Sequence, residues 1–202
     1  VAFCVLISAG GATISSIRLG QKDIKGATDV LGNTLMLCLT NAVLFGGLAY
    51  LFLDPILFFF GASTGTLPYA RDFMQVILLG TPITYTMIGL NNVMRATGYP
   101  KKAMLTSLVT VIANVIIAPV FIFHFGWGIR GAAMATVLSQ FIGMIWVVNH
   151  FRNKESFVHF MPGFWKMKKR IIGSIFSIGM SPFATNVTAC IIVIPVSYTH
   201  LR

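Results

Sequence analysis

The chain has 202 residues, of which 56% are hydrophobic and 10% charged, with a formal net charge of +10. A soluble domain carries about 25% charged residues; this composition, with a mean hydropathy of +0.82, excludes an ordinary water-soluble globule and points to a membrane protein. The basic residues sit in short clusters between apolar runs and form no continuous face, so a nucleic-acid partner is excluded too.

Six apolar runs follow one another: Val1–Ile17, Leu31–Leu53, Phe73–Met94, Ala103–Phe125, Gly131–Asn149 and Ile171–Ile194. None contains Lys, Arg, Asp or Glu. At about 1.5 Å per residue each crosses, or nearly crosses, a hydrocarbon layer about 30 Å thick. Helices are predicted, because in lipid a backbone N–H or C=O must find its partner within its own segment. The first run starts at Val1 with no basic leader, so it reads as the end of a helix and not as a signal peptide. The chain is expected to be part of a longer protein.

Loop charge sets the orientation. Basic residues number three in 18–29, one in 54–72, three in 95–102, one in 126–130 and six in 150–170. This alternation places the loops at Gly20, Tyr99 and Lys154 in the cytoplasm and those at Ser63 and Trp127 outside. The last cytoplasmic loop sets Phe157, Phe160, Phe164 and Trp165 beside Lys166, Lys168, Lys169 and Arg170. Aromatic and basic residues at a membrane edge suit an interfacial segment on anionic headgroups.

Pro82, Pro119 and Pro182 fall inside predicted helices, where each frees a carbonyl and kinks the rod, as a static packing feature or as a hinge. Two stripes of small residues recur every four positions: Gly131, Ala135, Ser139, Gly143, and Gly173, Ser177, Ser181, Thr185. Both predict close helix packing. Cys4, Cys38 and Cys190 each lie alone in an apolar run, so no disulfide framework or metal site is expected and they read as small buried residues.

The acidic residues Asp23, Asp29, Asp54, Asp72 and Glu155 fall outside the six runs, and no GxSxG, HExxH or P-loop pattern occurs. An enzyme is therefore not expected. Uncharged polar groups remain. The third run carries Gln75, Thr84, Tyr85, Asn91 and Asn92, which line a cavity or hydrogen-bond neighbouring helices. Asn114 lies about 16 Å into the fourth run, near mid-membrane. Ala118 is one turn further out on the same face, level with Thr136 on the next helix. His124, at the outer end of the fourth run, reads as an interfacial residue.

Four segments carry a resemblance: SSIRLGQKDIKGA at 15–27, RATGYPKKAM at 95–104, NVIIAPVFIF at 114–123 and FGWGIRGAAMATVLSQ at 125–140. Together they resemble the multidrug and toxic compound extrusion (MATE) transporters, over roughly residues 2–194. The resemblance implies an all-α, twelve-helix fold of two six-helix lobes around a cavity open to one side at a time. Residues 1–151 would be most of the amino-terminal lobe, from the end of helix two to helix six. Residues 152–170 would be the cytoplasmic inter-lobe loop and 171–195 the first helix of the second lobe. The tail 196–202, VSYTHLR, departs from the family pattern.

The resemblance further implies export of drugs or organic cations, small, cationic and amphipathic, in exchange for Na⁺ or H⁺. No cofactor is implied, and the full-length protein would be monomeric in the plasma membrane. A family cation site uses an Asp on helix one, an Asn and an Asp on helix five, and a Thr on helix six. Asn114 and Thr136 match the Asn and the Thr, so they are the candidates for a Na⁺ site or transport pathway. Ala118 stands where the helix-five Asp is usual. A lipid-linked oligosaccharide flippase of related architecture is the alternative; it prefers a cationic cavity, and no Lys or Arg lies inside the six runs.

Overall fold

Every apolar run folds as a helix, and each helix is longer than its run. The computed structural model describes residues 2–153, 156–160 and 168–200, with side chains through Ala189. The elements are α1 (Ala2–Gly20), α2 (Ile24–Leu51), a short α3 (Leu53–Phe59), α4 (Leu67–Ala96), α5 (Pro100–Pro119), a π-helical turn (Val120–His124), α6 (Gly128–Arg152) and α7 (Lys169–His200). With the π turn counted into α5, six helices are long and apolar enough to cross a membrane.

The extra length corrects one expectation. Asp29 and Asp72 stand in the second turns of α2 and α4 and not in loops, and α3 occupies part of the outer 54–72 segment. Helices run past the apolar window because the chain at the headgroups is still better hydrogen-bonded to itself, while the charges there pair in water. Arg130 Nη2 reaches Asp72 Oδ1 at 2.7 Å, and Arg71 Nε reaches Asp54 Oδ1 at 3.3 Å.

Capping fixes the tightest turn. Asp23 Oδ1 accepts the Gly26 N–H at 2.9 Å and Oδ2 accepts Arg18 Nη1 at 2.8 Å, joining the end of α1 to the start of α2. A Cβ on Gly26 would lie 2.0 Å from Asp23 Oδ2, so a larger residue there would push the carboxylate off its cap. The Arg18 guanidinium, and after it the Gly26 amide, hold the Asp23 carboxyl below its usual range. A depressed carboxyl contributes stability above its unfolded value of roughly 3.9, and the contribution fades as pH falls through the folded value. Asp23→Asn is expected to melt below the unsubstituted protein at pH 7, with the gap closing in acid; thermal melts across pH measure it.

Consecutive membrane helices are antiparallel, as the loop charges require. Gly143 of α6 packs on Thr110 of α5 while Gly131 packs on Phe121 at the other end. Gly89 of α4 packs on Cys38 of α2 and Gly46 of α2 on Thr81 of α4. Tyr99 and Trp127 therefore lie at opposite ends of the fourth span. α4 is central, touching α1, α2, α5 and α6, while α7 lies on α1 and α2. One buried cluster joins Leu31, Leu90, Met94, Ala103, Val147 and Phe151 across α2, α4, α5 and α6. The other joins Leu6, Ile7, Val30, Cys38 and Ile175 across α1, α2 and α7.

The small-residue stripe of α6 packs as expected, with Gly131, Ala135, Ser139 and Gly143 all buried. The stripe of α7 does not: Gly173, Ser177, Ser181 and Thr185 are exposed, and the packed face is Ile171, Ile175 and Gly179. Four-residue spacing shows that residues share a face, not which neighbour the face meets. Pro82 leaves α4 continuous, and Pro182 leaves α7 continuous. Pro119 ends α5, after which the backbone widens into the π turn, where the Phe125 N–H reaches the Val120 carbonyl at 3.1 Å.

The segment after α6 differs from a purely interfacial one. Val158 is core, and Phe160 packs on Phe151 while its N–H donates to the Phe151 carbonyl at 3.0 Å. Lys154, Glu155, Phe164, Trp165 and Lys166 lie outside the described residues, as do 201–202 of the tail. Lys168 is clasped to α2: its N–H donates to Asn33 Oδ1 at 2.8 Å and its ammonium pairs with Asp29.

Candidate functional site

The polar centre of the bundle lies on the α5–α6 seam. The antiparallel register brings Asn114, in the fourth turn of α5, against Thr136 and Ser139 of α6. Asn114 Nδ2 donates to Thr136 Oγ1 at 3.3 Å and approaches Ser139 Oγ at 3.5 Å. Both hydroxyls spend their own protons on helix carbonyls, Thr136 on Ala132 at 3.0 Å and Ser139 on Thr136 at 2.8 Å. Their lone pairs are thus left to accept from Asn114. The amide oxygen of Asn114 receives no hydrogen bond from the described residues. Asn114 and Thr136 are half-buried, whereas Ser139 is buried.

Ala118 is half-buried one turn nearer the outer end, level with Met134 and Ala135 by the register of Gly131 on Phe121. Its methyl offers no ligand. α5 and α6 contain no Asp or Glu, and among the described residues no group of three His, Cys, Asp or Glu comes together. The donor set is amide and hydroxyl oxygen only. Such neutral oxygens can surround a hard monovalent cation, as helix carbonyls do in other transporters; none of the three side chains carries a proton at neutral pH that it could release.

The polar residues predicted on the third span do not converge. Thr84 donates back to the Gly80 carbonyl at 3.3 Å. Asn91 faces α5, donating to Ser107 Oγ at 3.3 Å. The next residue, Asn92, faces the other way and donates to Ser8 of α1 at 3.0 Å. Tyr85 packs on the α1–α2–α7 cluster. Gln75 is half-buried in the outer half of α4. These residues staple α4 to its neighbours on two sides, and Asn91 alone keeps a buried amide oxygen without a donor. His124 is exposed at the outer end of the π turn.

Sequence reasoning missed three participants. Ser139 read as a packing residue because it sits in the Gly131 stripe, yet its hydroxyl faces Asn114. Gln140, the next residue on α6, holds a buried side-chain oxygen with no donor. Asn33, 1% exposed, anchors Lys168; Asp29, read as a loop residue, was the only signal.

Six membrane-competent helices, alternating in direction and enclosing a neutral polar seam, define a multi-pass α-helical membrane protein. The MatE family model matches residues 1–120, and the chain belongs to that family and is a multi-pass protein of the plasma membrane. The multidrug export protein MepA of Staphylococcus haemolyticus is 30% identical over 183 residues, 91% of this chain and 40% of that protein. The probable multidrug resistance protein YpnP of Bacillus subtilis is 27% identical over 154 residues, 74% of this chain and 35% of that protein. A crystal structure of MATE in the bent conformation superposes with a TM-score of 0.88 at 24% identity, covering 94% of this chain and 43% of that one. The chain thus spans about 40% of the length of the relatives it matches.

Proposed function

We propose that this chain is part of a secondary transporter that exports drugs or organic cations by antiport with Na⁺ or H⁺. The observation that carries the reading is the Asn114–Thr136–Ser139 cluster, a neutral mid-membrane oxygen set on the seam of a MatE-family bundle. Similarity to proteins described as multidrug exporters supports a small-molecule substrate. Asn114 and Thr136 are proposed for the cation or the transport pathway, with Gln75, Thr84, Tyr85 and Asn91 on the flank of the cavity. Neutral oxygens suit Na⁺; a proton-coupled cycle would draw its titratable group from elsewhere. No cofactor takes part in this scheme.

Residues 1–151 are proposed as most of one lobe, 152–170 as the inter-lobe loop and 171–195 as the first helix of the second lobe. Pro82, Pro119 and Pro182 are the proposed hinges. Pro82 has the clearest local reason: its missing N–H frees the Leu78 carbonyl, which lies opposite Gly46 of α2 with room around it. The exposed stripe of α7 is the face we assign to further helices of the full-length monomer.

The flippase alternative lacks support, since the relatives above are described as a multidrug export protein and a probable multidrug resistance protein, and no Lys or Arg lies inside the six apolar runs. The test is the product of the complete gene in a drug-sensitive host. Ethidium accumulation is expected to fall, and dissipating the Na⁺ and the proton gradients separately is expected to identify which one drives export. Unchanged accumulation over a broad panel of organic cations would overturn the reading.

A further inference from the structure

At the cytoplasmic end of α5 and α6 lies an open groove of about 930 Å³. Lys102 and Leu105 of α5 form one wall; Ile142, Ile145, Trp146 and Asn149 of α6 form the other, with Arg152 at the mouth. The α6 residues recur at three- and four-residue spacing, so they are one helix face. Leu105 is 43%, Ile145 52% and Trp146 46% exposed. The groove is therefore apolar along its length and cationic at its inner end.

Among the described residues four cations have carboxylate partners: Arg18, Arg71, Arg130 and Lys168. Lys102 and Arg152 have none among the described residues. Lys102 instead sets its ammonium 5.1 Å from the centre of the Tyr99 ring, a contact that orients the charge without neutralising it. α5 begins here with Pro100, so the N–H groups of Lys101 and Lys102 also point to this end unpaired. The opposing carbonyl end of α6 is covered, because the Asn153 N–H donates to the Asn149 and His150 carbonyls, both at 3.3 Å.

We propose that this groove binds an anionic phospholipid of the cytoplasmic leaflet. The headgroup phosphate sits between Lys102 and Arg152, and an acyl chain lies along Leu105, Ile142, Ile145 and Trp146. Cations with no carboxylate partner among the described residues call for an anion, and an exposed apolar wall directly beneath them calls for one that carries a hydrocarbon tail. Basic pockets between transmembrane helices on the cytoplasmic side take such headgroups, and Trp146 suits the interface between the two regions. A free phosphate would leave the wall uncovered. The bound lipid bridges α5 and α6 next to Tyr99, whose hydroxyl accepts the Phe157 N–H at 3.3 Å, and so steadies the turn from α6 into the following segment. This assignment does not depend on the transported substrate.

The test titrates the purified product of the complete gene with dioleoyl phosphatidylglycerol and dioleoyl phosphatidylcholine, read by native mass spectrometry. Phosphatidylglycerol is expected to bind about thirtyfold more tightly, the worth of two basic residues near the surface. Lys102→Gln with Arg152→Gln is expected to bring the two lipids level, and Leu105→Trp to block both without a change of charge. The first two positions are exposed, so a gel-filtration profile like the unsubstituted protein's is expected. Arg95→Gln with Lys101→Gln, exposed cations outside the groove, is expected to keep the preference. No preference in the unsubstituted protein would overturn the proposal, as would an equal loss in the control pair. Displacement by millimolar inorganic phosphate would also overturn it and assign the groove to the free anion.

Discussion

Gly10→Ala is expected to loosen α7 from α1, and Gly10→Leu to undock it. A Cβ on Gly10 would lie 2.1 Å from the Ile175 carbonyl oxygen, and one on Gly179 would lie 2.0 Å from the Leu6 carbonyl oxygen. The two contacts are reciprocal across an antiparallel crossing, each glycine facing the other helix's backbone. A clashing side chain can rotate away; a helix carbonyl cannot, because it is held in its own ladder. The axes must therefore part by about an ångström or more to restore van der Waals distance, and Leu6, Ile7 and Ile175 lose contact together. Overpacking of this kind costs about 1–3 kcal/mol, and more when only backbone can yield. Gly47→Ala on α2 meets nothing within 4 Å and is the control. Thermal melts of the two alanine variants should differ clearly, and equal melts would remove the close crossing. If α7 opens the second lobe, as proposed, the same substitution should also depress export, since the crossing joins the lobes.

The helices and their directions were legible because lipid leaves the chain few options. Uncharged runs of membrane length must be helices, and the short loops between them make consecutive helices run in opposite directions. The α6 stripe was legible for a related reason: four small residues in register can hardly face anything but another backbone. The same rule misled on α7. There the packed face is Ile171, Ile175 and Gly179, two residues out of phase with a second face of small residues, and spacing alone does not choose between two adequate faces.

Partners distant in sequence were not legible at all. Lys168 and Asp29 are separated by 139 positions, and nothing in either neighbourhood names the other. The polar count of α4 was correct, but adjacent residues point about 100° apart on a helix. Asn91 and Asn92 therefore serve opposite neighbours, which is the helix-to-helix hydrogen bonding that was one of the two readings of this polar run. Asn114 and Thr136 were paired by resemblance; Ser139 joined them only when the register was known, because a serine among glycines and alanines reads as small before it reads as a hydroxyl.

Asn114→Ala is expected to cut export about tenfold or more while leaving the melting temperature almost unchanged. The stability side follows from who donates to whom. The hydroxyls of Thr136 and Ser139 keep their own donors satisfied by the Ala132 and Thr136 carbonyls after the amide is gone. What is lost is one interhelical hydrogen bond at 3.3 Å and a marginal one at 3.5 Å, worth about 0.6 kcal/mol in a membrane bundle. The close contacts of Gly131 on Phe121 and Gly143 on Thr110 hold the seam at both ends regardless. The transport side is larger because the Asn114 oxygen is the free acceptor of the cluster. Losing one hydrogen-bonding or liganding group to a charge costs about 1.5–3 kcal/mol, which is roughly ten- to a hundredfold in occupancy. Thr136→Val should move export in the same direction, and Ser107→Ala, which releases only the Asn91 staple, should not. Ethidium export and thermal melting on the same preparations separate the cases. A variant that melts lower yet exports normally would make Asn114 a packing residue; one that melts normally and exports poorly places a transported cation or its path at the α5–α6 seam.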